Sequence, residues 1–168
     1  MPLLRGSKRR GVFFSDMIDE SLRELYQEII LDHSKHPRHF GALEHATHNA
    51  NGHNPLCGDR ITVHLLVDGD GRIADIKFEG RGCAISQASA SLMTDMLMGR
   101  TAAAAEALMD GFLHLVKGEG AEGLSDDDLE TLQVMAGVSA FPMRVKCATL
   151  AWHTMKSALE GGEAAKTE

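Results

Sequence analysis

Three cysteines and one aspartate carry the chemistry open to this chain. Cys57 and Asp59 lie two residues apart in "NPLCGD", Cys83 follows in "GRGCAIS", and Cys147 in "RVKCATL". In an extended segment residues two apart project to the same side, so Cys57 and Asp59 can face one point, with Gly58 leaving room between them. Three thiolates and one carboxylate make a tetrahedral set for Zn2+, with sulfur at about 2.3 Å and oxygen at about 2.0–2.2 Å. Thiolates equally suit iron–sulfur clusters. The same residues also read as three unrelated buried thiols, because free cysteine often serves as a small apolar core residue. There is no CxxC pair, and spacing alone leaves both readings open.

The surroundings of each thiol favour ligation. Cys57 is expected just before a strand, Cys83 at a glycine-flanked corner between strand and helix, and Cys147 at a helix start. Free backbone N–H groups and the positive end of a helix dipole stabilise a thiolate at such places. Arg144 and Lys146 add positive charge beside Cys147. Three cysteines cannot all pair within one chain, and the N-terminal "MPLLRGSKRRGVFFSD" lacks the apolar segment and cleavage site of an export signal. Thiols or metal ligands in a cytoplasmic protein are therefore expected, not disulfides.

The elements that must bring these residues together can be read from periodicity. From Asp16, Ile18, Leu22, Leu25, Tyr26, Ile29 and Ile30 recur at helical steps, with Ser15 or Asp16 as cap and Pro37 as stop. Residues 41–56 show no period and read as a connection, with a short strand around Ala46–Ala50. "ITVHLLV" (61–67) alternates, "DGDG" (68–71) signals a turn, and "RIADIKFEG" follows with Ala74, Ile76 and Phe78 on one face, which makes a hairpin. Helices are then expected over Ile85–Leu97 with Ser86 as cap, over 101–118, from Ser125, and from Cys147 onward, with Ala148, Ala151, Met155 and Leu159 on one stripe. Helix, hairpin or three-stranded meander, then helices, without strand–helix alternation, predicts an α+β fold: a small antiparallel three-stranded sheet packed against several helices. The expected organisation is a flexible extension over 1–16, one domain over 17–160 and a polar tail over 161–168, with Met17 as an alternative start.

Bulk composition narrows the function. At 168 residues the chain is long enough for one well-buried core. A formal net charge of −7 argues against a phosphate-binding surface, and 5% aromatic residues against base stacking, so no nucleic-acid partner is expected. No apolar run approaches the roughly 20 residues needed to cross a bilayer.

The words around the cysteines add a resemblance. "LYQEIILDHSKHPRHFG", "NPLCGD", "GRGCAISQASASLM" and "RVKCATLAWHTM", in this order, closely resemble the U-type iron–sulfur cluster assembly family of SufU, IscU and the NifU N-terminal domain. The resemblance spans about residues 22–159. Lys146, where IscU relatives carry histidine, and the segment "GEGAEGLSDDDLETLQVM" before the last cysteine are similar to the SufU branch. The resemblance implies a site made of Cys57, Asp59, Cys83 and Cys147 that binds zinc in SufU-like proteins and builds a [2Fe–2S] cluster in IscU-like ones. It also implies a SufS-like cysteine desulfurase as the sulfur donor and downstream assembly or acceptor proteins as recipients. The persulfide acceptor would be Cys57 by the SufU branch and Cys147 by the IscU branch. Arg144 matches a SufU position implicated in the exchange with the partner. Asp59, a hard oxygen among soft donors, would keep the site exchangeable.

Other signals are weaker. His33, His36 and His39 are spaced like ligands, but Pro37 interrupts their helix and a solvated helix end is expected. "DGDG" lacks the later acidic ligand of a calcium loop. His64 is expected on the less buried strand face, and Trp152 in the core. No nucleophile elbow, phosphate loop or HExxH is present.

Overall fold

The computed structural model describes residues 20–161 and 164–166. The expected extension and its capping residues lie outside them. Helix α1 covers residues 20–35. Strands β1 (His48–Asn54), β2 (Asp59–Val67) and β3 (Ile73–Arg81) form an antiparallel meander. Helices α2 (Ala84–Leu97), α3 (Ala102–Val116) and α4 (Asp126–Leu132), a 3-10 helix (Gln133–Ala140) and helix α5 (Pro142–Leu159) follow. A short strand β4 (Ala164–Lys166) pairs in parallel with β1, giving the order β3-β2-β1-β4. The fold is the expected α+β type, and the polar tail lengthens its sheet by an edge strand.

The hairpin forms where alternation predicts it. Ile61, Val63 and Leu65 of β2 point inward and are buried, as are Ile76 and Phe78 of β3. Asp68 Oδ1 accepts from the backbone N–H groups of Asp70 (2.9 Å) and Arg72 (3.1 Å), so "DGDG" is a turn closed by its own aspartate. The expectation for Ala74 fails. It is exposed, and Ile73 is buried in its stead. The cause is a bulge: Leu66 pairs with Asp75 but Val67 with Ile73, so Ala74 is the extra residue and the alternation shifts there.

Strand β1 is longer than expected and lies further along the chain. Its inward residues are Ala50, Gly52 and Asn54, which give no hydrophobic alternation to read. They are small because α5 lies directly over them. A Cβ on Gly52 would land on Thr154 Oγ1, with Ile61 Cγ2 at 3.0 Å and Leu150 Cδ1 at 3.1 Å.

The helices close the other side of the core. Trp152 is wholly buried in α5, stacks on Phe112 of α3 at a centroid distance of 4.6 Å, and donates Nε1–H to Ser89 Oγ at 3.1 Å. Helix α2 is buried on most sides, including Ser86, Ser89 and Ser91, and not along one stripe. Ser86 lies inside the helix, and Cys83 takes the cap position. Thr101 and Ser125 cap α3 and α4 through their hydroxyls. Helix α5 starts at Pro142, well before Cys147, because proline suits the first turn, where no N–H is needed. Leu25 of α1 is exposed, while Tyr26, Ile29 and Ile30 pack against the core. His33 is not solvated: it is buried, with Nδ1 2.7 Å from Ser91 Oγ. His39 instead meets Asp95 at 3.2 Å, and His36 is exposed. His64 is half-buried between Asn49 and Glu79 on the outer sheet face, as expected.

Gly52→Ala should destabilise the fold by about 1–3 kcal/mol through overpacking, read as a lower denaturation midpoint. Gly69→Ala, where an added Cβ meets nothing within 4 Å, should leave the midpoint unchanged within error.

Candidate metal centre

Three separate stretches of chain deliver the candidate ligands to one end of the sheet. Strands β1 and β2 are joined by a tight turn over residues 55–58. Gly58 closes it in the left-handed region (φ +73°), and its N–H donates to Asn54 O at 2.8 Å. Cys57 therefore projects from a turn, not from an extended strand, and meets Asp59 by the glycine's change of direction. Asp59 opens β2 on the same face as Ile61 and Val63, which buries its carboxyl group to 1% exposure.

Cys83 stands at the corner between β3 and α2. Its backbone N–H donates to Asp59 Oδ1 at 3.0 Å, and its Sγ is 3.9 Å from Asp59 Oδ2. Gly82 makes this approach possible: a Cβ there would lie 2.6 Å from Asp59 Oδ1. Cys147 comes from the second turn of α5 and is fully buried. The helix dipole fades beyond the first turn, so the expected stabilisation by a helix start does not reach it.

One ligand atom each from Cys57, Asp59 and Cys147 lie within 4.8 Å of one another, and the sulfurs of Cys57 and Cys147 are 3.4 Å apart. Cys83 stands beside this close-set triad and touches it through Asp59. Arg144 is exposed above the thiols, and its guanidinium is held more firmly in the charged form, first by Cys83 and further by Cys147 and Cys57. Among the described residues the Lys146 ammonium makes no hydrogen bond or ion pair, and its carbonyl accepts from Thr149 Oγ1 at 3.3 Å. Burial, reinforced by Cys57 and Asp59, pushes the Cys147 thiol up from its ordinary value.

The donors fit a thiophilic cation. Soft sulfur with one oxygen selects zinc or an iron–sulfur centre over magnesium or calcium. Such a cation would supply the positive charge that a buried carboxyl group and clustered thiols otherwise lack. No other group of three His, Cys, Asp or Glu ligand atoms is as close-set among the described residues.

Residues 25–148 match the family described as the NifU-like N terminal domain. The chain belongs to that family. It is 42% identical over 139 residues to the iron–sulfur cluster assembly scaffold protein IscU of Streptococcus pyogenes serotype M1, covering 83% of this chain and 85% of that one. It is 41% identical over 145 residues to the zinc-dependent sulfurtransferase SufU of Bacillus subtilis strain 168, covering 84% and 96%. A crystal structure from Fervidobacterium islandicum AW-1, described as an iron–sulfur cluster assembly scaffold for the SUF system, superposes with a TM-score of 0.72 at 38% identity, covering 79% of this chain and 94% of that one.

Two residues beside the candidate ligands carry no sequence signal of their place there. Gly82 was legible only as part of a glycine-rich corner, and Asn54 only as a letter of "NPLCGD". Their roles depend on contacts with Asp59 and Cys147 that no local pattern encodes.

Gly82→Ala should displace the Asp59 carboxyl group and weaken metal retention by about 10-fold or more, read as faster transfer to a chromogenic chelator with the circular dichroism unchanged. A second expectation concerns pH. With metal removed, the raised Cys147 thiol stays neutral in the fold while the unfolded chain ionises near 9.0. Its contribution is full below that value and is lost as pH climbs past it, at about 1.4 kcal/mol per pH unit for one proton. Denaturant unfolding of the chelated chain between neutral and alkaline pH should show this loss, and Cys147→Ala should abolish it.

Proposed function

We propose that this protein works in iron–sulfur cluster assembly as an acceptor of persulfide sulfur from a cysteine desulfurase, with zinc held by Cys57, Asp59, Cys83 and Cys147. The observation that carries this reading is the meeting of Cys57, Asp59 and Cys147 within 4.8 Å, with Cys83 bonded to the same carboxyl group. The 41% identity to a SufU described as a zinc-dependent sulfurtransferase supports the branch. So does the segment before the last cysteine, which folds into α4 and the 3-10 helix and lends Val134, Gly137, Val138 and Ala140 to a groove of about 750 Å3 reaching Cys83 and Arg144.

Exposure supports Cys57 as the acceptor. It is partly exposed on its turn, whereas Cys147 is buried. The sulfur step is an exchange that needs no oxidant. Cys57 Sγ, as thiolate, attacks the outer sulfur of the donor's persulfide. The donor's S–S bond breaks, its cysteine leaves as thiolate, and Cys57 carries the new persulfide. A bound zinc supplies a site that keeps the thiols deprotonated and ordered until the partner arrives. Arg144, exposed and coupled electrostatically to the thiols, would meet the anionic persulfide as it enters, and Lys146, two residues on, adds charge. Leu56, Phe141 and Met143 are more than half exposed and surround the mouth, an apolar rim suited to a protein partner. Free thiols fit the reducing cytoplasm, and no described helix is long and apolar enough to cross a membrane.

A second reading, in which a [2Fe–2S] cluster is assembled as cargo on the same ligands and passed on, is favoured by the 42% identity to a protein described as an IscU scaffold.

Protein purified anaerobically should carry about one zinc per chain, as expected for a single four-ligand site. It should accelerate sulfide release by a cognate cysteine desulfurase in the presence of a reductant. Cys57→Ala should abolish that acceleration, and Asp59→Ala should lower metal content. No acceleration, together with transfer of a reconstituted cluster to an apo acceptor, would select the scaffold reading.

A further inference from the structure

Asn54 is a fully buried polar residue at the end of β1, adjacent to the thiols and outside the ligand set. It makes three contacts at once. Its carbonyl oxygen accepts from Gly58 N–H at 2.8 Å, and its side-chain Oδ1 accepts from Leu56 N–H at 3.2 Å. Its side-chain Nδ2 then faces Cys147 Sγ at 3.8 Å and donates to it across 93 residues of sequence. The Leu56 N–H fixes which end of the amide is which, because a donor can face only Oδ1. Two of these bonds shape the Cys57 turn from within, and the third ties that turn to α5.

We infer that Asn54 is a positioning residue that fastens the Cys147 sulfur beside the Cys57 turn, making Cys147 the fixed ligand and leaving Cys57 the one that exchanges. This rests on the sulfur-acceptor reading above and assigns a division of labour within that site. An N–H donated to a metal-binding sulfur withdraws electron density from it, lowers its reactivity and orients its lone pair. Among the described residues Cys57 Sγ receives no comparable N–H donor; its one contact of this kind is with Cys147 itself. The two thiols, 3.4 Å apart, are thereby made unequal by one amide.

Asn54→Asp keeps the size and the Oδ1 acceptor for Leu56 while deleting the N–H toward sulfur, and Asn54→Ala deletes both. In the full-length chain with cobalt(II) substituted for zinc, the sulfur-to-cobalt charge-transfer band should move to lower energy in both variants, because a hydrogen bond that held the sulfur lone pair down is gone. The zinc forms should release metal to a chelator about 10-fold faster. After incubation with a cysteine desulfurase and cysteine, mass spectrometry should find the extra sulfur almost wholly on Cys57 in the parent chain. In the variants the Cys147 share should rise about 10-fold. A band, release rate and label distribution that superpose on the parent in both variants would overturn the inference. Should the parent take no sulfur on any cysteine while the band still shifts, the acceptor reading fails and the Asn54–Cys147 bond stands. If Asn54→Ala does not fold, Asn54→Asp alone decides.

Discussion

A carboxyl group buried among three thiols is the constraint on which the rest of this structure depends. Asp59 stands at the start of a central strand with 1% of its surface exposed. Burying such a group without partners is costly, and several features of the chain offset that cost. The Cys83 N–H donates to one oxygen, Gly82 has no side chain to collide with it, and the thiols beside it complete a donor set for a cation. Three of the four candidate ligands are thus arranged around the fourth.

The fold holds this arrangement by register and packing. The β1–β2 pairing sets Asn54 opposite Asp59, which fixes where the turn bearing Cys57 begins and ends. The β2–β3 pairing sets Arg60 opposite Arg81 and so brings the Gly82–Cys83 corner alongside Asp59. Helix α5 presses on β1 through Gly52, with Trp152 locked between Phe112 and Ser89, and this seats Cys147 beneath the turn. The buried layer carries Asp59 and Cys147, while Cys57 and Cys83 sit at its boundary. That gradient of burial is consistent with the division of labour inferred above.

The surface around the mouth follows from the same layout. Phe141 and Met143 flank Pro142 at the start of α5, and Leu56 precedes Cys57, so the turn that exposes a thiol also exposes apolar side chains. Arg144, next after Met143, supplies positive charge to a groove that it lines with Phe141 and that is walled by α1 and the 3-10 helix. Exposed apolar side chains of this kind, with a cation among them, suit the protein partner proposed above.

Some of this was legible in the chain and some was not. The hairpin was, because alternation of Ile61, Val63 and Leu65 is a local property of a half-buried strand. The candidate donors were legible as residue types, because those types and their flanking words are local too. Strand β1 was not, because its inward residues, Ala50, Gly52 and Asn54, answer to the closeness of α5. Nor was the burial of Ile73, because a bulge in a strand pair leaves no mark on one strand's sequence. The start of α5 at Pro142, five residues before the expected one at Cys147, was not legible, because proline ends a helix in its interior and opens one at its first position. The sequence by itself determined the donor chemistry, the hairpin and the α+β class, since residue type and short-range periodicity suffice for these. Only the tertiary structure decided that Cys57 is partly exposed and Cys147 buried, that Gly82 lies against Asp59 and Asn54 against Cys147, and that the Arg144 guanidinium feels the sulfurs. These are contacts between residues tens of positions apart, set by strand register and helix packing.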